Sequence, residues 1–101
     1  MRAIIWNYSL AVAKLDEAKA LNSNVDSALQ VAILAHQSLR SALYGMGASM
    51  DELRPLRKAI HAYAQAFSRE RLAYRFGIGE TAVTNVARIK AQRELFAQLA
   101  K

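Results

Sequence analysis

The side chains able to do chemistry in this sequence are cations and a few polar groups, not the nucleophiles or metal ligands of an enzyme. There is no Cys, which removes thiolate metal sites, disulfides and cysteine nucleophiles together. The two histidines, His36 and His61, belong to no cluster with metal-ligand spacing. His36 lies among Ala32, Leu39 and Leu43, the surroundings of a packed interface histidine. His61 flanks a basic segment, within reach of a phosphate. A Ser-His-Asp centre needs three groups converging in a cleft, and no glycine-rich loop here has P-loop spacing. No catalysis, metal or cofactor is expected.

The cations point elsewhere. Fourteen Lys and Arg against eight acidic residues leave a net charge of +6, and the isoelectric point is about 10.1. The excess is uneven: residues 1–50 carry a balance of +1 and residues 51–101 one of +5. The basic half holds Arg54, Arg57, Lys58, Arg69, Arg71, Arg75, Arg88, Lys90, Arg93 and Lys101. Such a surface suits a polyanion, but charge alone equally describes a solvated face. A motif must accompany it.

The elements that position these groups read as helices. A chain of 101 residues makes one domain, residues 1–101. Twenty alanines with only four glycines and one proline favour helices joined by short connections. No apolar run approaches the ~20 residues of a membrane span, and the first residues lack a signal-peptide pattern. A cytoplasmic protein without a membrane partner is expected.

Apolar residues recur at three- and four-residue steps over 3–21 (Ile4, Tyr8, Ala11, Leu15, Ala18), predicting a first helix. Asn22-Ser23-Asn24 interrupts it, with Ser23 or Asn24 suited to cap the next helix. The segment 25–44 has two apolar stripes, one through Leu29, Leu39 and Leu43 and one through Val31, Leu34 and Ala35. That pattern predicts a helix buried on two sides. Tyr44–Ser49 holds two glycines and is the clearest break. Ser49 and Glu52 have capping-box spacing. Pro55 cannot donate to Asp51, so a short turn at 50–53 and a helix from Pro55 to Phe67 are expected.

Residues 69–88 read Arg-Glu-Arg-Leu-Ala-Tyr-Arg-Phe-Gly-Ile-Gly-Glu-Thr-Ala-Val-Thr-Asn-Val-Ala-Arg. Ser68 is placed to cap a helix over 69–76. Ala73 suits a close helix crossing, and Gly77 suits a turn position with positive φ. Leu72, Phe76, Ile78, Val83 and Val86 suit the inner side of the corner. This twenty-residue pattern resembles the helix-turn-helix of bacterial, phage and plasmid DNA-binding regulators.

The resemblance implies an all-α fold: a small helical bundle with a C-terminal helix-turn-helix, forming an intertwined or helix-packed homodimer. Residues 1–67 would form the core and dimerisation region, and 68–101 the helix-turn-helix and C-terminal helix. It implies that Thr81, Thr84, Asn85 and Arg88 face bases and backbone, Arg88 suiting guanine and Asn85 adenine. Arg69, Arg71, Arg75, Lys90 and Arg93 would hold phosphates without reading sequence. The expected function is sequence-specific binding of double-stranded DNA by a transcriptional regulator, a repressor or autoregulator. The alternative from the residues is a helical adaptor or antagonist whose basic half binds an acidic protein.

Overall fold

Three short breaks divide the chain into four helices. The computed structural model describes residues 1–101 as α1 (Arg2–Leu21), α2 (Val25–Tyr44), α3 (Met50–Phe76) and α4 (Thr81–Leu99), with no strand. The all-α reading holds. No helix is long and apolar enough to cross a membrane.

The first break is built by asparagines in left-handed backbone. Asn22 (φ 50°) ends α1, and Asn24 (φ 57°) precedes α2. Asn tolerates that region better than most residues. The expected side-chain cap from Asn24 is absent, because a cap residue normally sits in the β region, where its oxygen reaches the free N–H groups. At the second break the cap forms as expected: Ser49 Oγ accepts from the Glu52 N–H at 3.2 Å.

Helix α3 departs from the sequence reading in two places. It begins at Met50 and carries Pro55 in its second turn. The bond Pro55 cannot give is that to the carbonyl of Asp51, an exposed residue whose carbonyl water can satisfy. The Ser49 cap and the buried pair Leu53 and Leu56 hold the turn on both sides of it. The helix then runs unbroken past the expected break at 67–68. No Gly or Pro lies between Leu56 and Phe76, and Arg69–Ala73 is composed of strong helix formers and neutral ones. Ser68 caps nothing: it is 1% exposed, and its hydroxyl donates to Asp16 Oδ2 at 2.6 Å.

The apolar core joins all four helices. Ile5 and Tyr8 of α1, Leu39 and Leu43 of α2, Leu53, Leu56, Ala59, Ile60 and Ala64 of α3, and Leu95 of α4 form one cluster. The helices packed on two sides are α1, which lies against α2 and α3, and α3, which lies against α1 and α4. Helix α2 fully buries only Leu39 and Leu43; on its expected second face Ala35 packs partly against the core, while Val31 and Leu34 are exposed. The molecule is a slab of 40 × 30 × 19 Å between Cα atoms, about two helix diameters thick.

Candidate nucleic-acid interface

Gly77 ends α3 with φ 67°, as expected of the turn glycine. Its N–H bonds the carbonyl of Ala73, and the N–H of Ile78 bonds that of Leu72. Gly79 also has positive φ, at 95°. Two such residues reverse the chain, and α4 returns antiparallel along α3. Glu70 meets Asn85 and Arg88 near the turn, and Tyr63 shares a hollow with Leu95 and Leu99 further on.

This hairpin differs from the sharp corner expected of two short helices. Ala73 is buried at 4% exposure, but Val83 and Val86 are 60% and 66% exposed, and Ile78 49%. Because α4 lies along α3, its contact face runs through Asn85, Arg88 and Leu95. Val83 and Val86 are turned outward.

The polar residues near the turn are organised by two carboxylates. Glu70 accepts from Asn85 Nδ2 at 3.0 Å and from Arg88 Nε at 3.1–3.2 Å. Arg88 also donates through Nη1 to Gln92 Oε1 at 2.7 Å. Glu17 holds Arg71 Nε at 2.7 Å and Arg75 Nη1 at 3.3 Å. With the Asp16–Ser68 bond, this clamps α1 to α3. Thr84 turns its hydroxyl back onto the carbonyls of Glu80 and Thr81, while Thr81 is exposed at the start of α4. Four of the nine singled-out residues, Arg71, Arg75, Asn85 and Arg88, are therefore engaged by carboxylates within the fold. Arg69 and Lys90 are exposed without an ion pair.

A basic strip runs beside them. Arg54, Lys58, His61, Gln65 and Arg69 recur at three- and four-residue steps, so they share one face of α3. Arg54, Arg57, Lys58, His61 and Gln65 line an open groove. The next groove, between α3 and α4, is lined by Gln65, Arg69, Thr84 and Lys90 among others. The strip is ~22 Å long at helical rise. Arg57, Lys58, Arg69, Lys90 and Arg93 form no ion pair, and Arg54 reaches only the exposed Asp51.

His61 is tied down beneath this groove. Its Nδ1 is 3.0 Å from the Tyr8 hydroxyl, and its ring lies 6.2 Å from that of His36. Burial, then His36 and then Arg57, holds the imidazole below its ordinary pKa. Burial raises the pKa of Tyr8, so the phenol keeps its proton and can donate it to the neutral ring.

The period of the α3 strip is visible in the sequence, but the helix-turn-helix pattern draws attention past it. The roles of Asp16, Glu17 and Glu70 have no local signal. Asp16 and Ser68 are 52 residues apart, and Glu17 and Arg75 are 58 apart. Comparison with protein-family models, with curated proteins and with solved structures finds no match.

Proposed function

We propose that this chain binds double-stranded DNA as a transcriptional regulator, with the basic face of α3 and α4 against the sugar-phosphate backbone. The observation that carries the reading is the face of α3 from Arg54 to Arg69, on which Lys58 and Arg69 have no carboxylate partner, continued by the unpaired Lys90 on α4. Arg54, Arg57 and Lys58 stand at one end of this face and Arg69 with Lys90 at the other, so the cations meet phosphates at two points and release counterions on binding. Such contacts position a duplex without reading its sequence. Base reading through Thr81, Thr84, Asn85 and Arg88, in the manner of a helix-turn-helix, requires Asn85 and Arg88 to exchange Glu70 for a base edge. A regulator of this kind acts as a homodimer, presenting two such faces to one operator.

A second reading has its own observation. Tyr74, Ile78, Val83 and Val86 are 49–66% exposed around the hairpin tip, beside Arg69, Arg75 and Lys90. An apolar patch with a basic rim also fits an amphipathic acidic segment of a protein partner.

Duplex binding measured against salt separates the two. On the DNA reading, log affinity falls steeply and linearly with log salt, and Lys58→Gln or Arg69→Gln each flattens the slope by about 0.9. Arg71→Gln instead lowers thermal stability and leaves the slope nearly unchanged, because Glu17 already holds that guanidinium. No duplex binding at low salt removes the DNA reading.

A further inference from the structure

We infer that the groove lined by Arg54, Arg57, Lys58 and His61 seats one phosphate group, and that His61 takes up a proton when the phosphate binds. The inference rests on the duplex reading above and names how that site responds to pH. The groove is completed by Ala62 and Gln65, and no carboxylate lines it. Arg57 and Lys58 form no ion pair, and Arg54 reaches only the exposed Asp51. A concave surface with three cations and no anion of its own is complementary to phosphate oxygens.

His61 differs from these cations in being half-buried. Tyr8 of α1, His36 of α2 and Arg57 of α3 surround it. Of the charged groups on α4, Lys90 and Glu94 line the adjoining groove and not this one. With no anion facing it, the imidazole is held neutral by burial, then by His36 and Arg57. The Tyr8 phenol keeps its proton and donates to Nδ1, so the hydrogen of the neutral ring sits on Nε2. A second proton does not break this contact, because a hydroxyl oxygen can also accept from Nδ1–H. A phosphate in the groove supplies the negative charge that the fold withholds, and that favours the imidazolium. Binding and protonation therefore assist each other. A duplex backbone and a free polyphosphate share this chemistry, so the test carries both.

The test follows the His61 ring by NMR through a pH titration of the whole chain at low temperature. The chain is titrated alone, with a short DNA duplex, and with inorganic pyrophosphate at matched ionic strength. His36 and His61 are the only histidines, so the spectrum of His36→Gln assigns them. On the duplex the His61 midpoint should rise by about one pH unit, and duplex affinity should rise by up to about tenfold from about pH 8 to about pH 5.5. His36→Gln should keep that dependence, since His36 does not line the groove, and His61→Gln should lose most of it. A duplex that binds without moving the His61 midpoint overturns the inference and leaves the duplex reading standing. A rise shared equally by His36 and His61 reports the general field of the duplex and also overturns it. A midpoint moved by pyrophosphate where no duplex binds supports the phosphate site and removes the duplex reading. If neither probe moves the midpoint, the site is overturned. If His61→Gln fails to fold, the midpoints of the unaltered chain decide.

Discussion

Helices α2 and α4 are both outer helices, each laid on one long inner helix, yet they are held differently. Helix α2 lies on α1 through apolar contacts, ends in the core at Leu39 and Leu43, and leaves Val31 and Leu34 exposed. Helix α4 lies on α3 through the Glu70 bonds to Asn85 and Arg88, with Leu95 as its one buried residue. It presents Lys90 and Arg93 outward. The difference shows how one small core serves two kinds of surface. The spare residues of α2 include Val31 and Leu34, whereas those of α4 set Lys90 and Arg93 beside the exposed Val83 and Val86.

The strongest way to break this comparison is to remove each anchor. Leu39→Ala and Leu95→Ala should each destabilise by ~2–5 kcal/mol, as core truncations do, read from urea unfolding. Leu39 and Leu95 are 2% and 3% exposed. A negligible loss for Leu95→Ala would mean that the polar bonds alone seat α4.

The polar side is tested next. Glu70→Ala leaves Arg88 and Asn85 without their acceptor at a half-buried site and should cost ~1–3 kcal/mol. The same change removes a negative charge and frees a guanidinium, so duplex affinity, measured at low temperature where the variant is folded, should rise. A fall in affinity with folding intact would count against the basic face as the DNA contact.

The turn sharpens the comparison further. Gly77→Val should cost ~1–2 kcal/mol in thermal unfolding because φ there is positive, and Gly77→Asn should cost less. No atom lies within 4 Å of a Cβ built at Gly77, so the penalty is one of backbone and not of crowding. Equal losses for the two variants would contradict that cause.

The smallest effect is in pH. Folding lowers the pKa of His61, so the native state binds fewer protons than the unfolded chain once the ordinary value, 6.5, is crossed from above. Stability is then full above that value and falls as pH drops toward the depressed one. Tyr8 of α1, His36 of α2 and Arg57 of α3 surround the ring, and none offers negative charge. Melting should be lower at about pH 5 than at neutrality, and His61→Gln should show a smaller difference. An unchanged difference would locate the titration elsewhere.

Much of the plan was legible locally. Alanine content, apolar periodicity, the Ser49 cap and the Gly77 turn depend on residues within a turn or two of each other, so the helical class and the breaks after Leu21, Tyr44 and Phe76 could be read along the chain. The continuity of α3 through 67–68 could not, because Ser68 is equally a cap and a small buried donor. Only Asp16, brought from α1, decides which. The same holds for function: the +5 balance of the second half belongs to the sequence, but which cations stay available does not. Asn85 and Arg88 match recognition-helix positions by spacing, while their hydrogen bonds depend on where Glu70 lies. Spacing along a helix determines which residues share a face; whether that face meets a carboxylate, a second copy or solvent is decided by packing between distant segments.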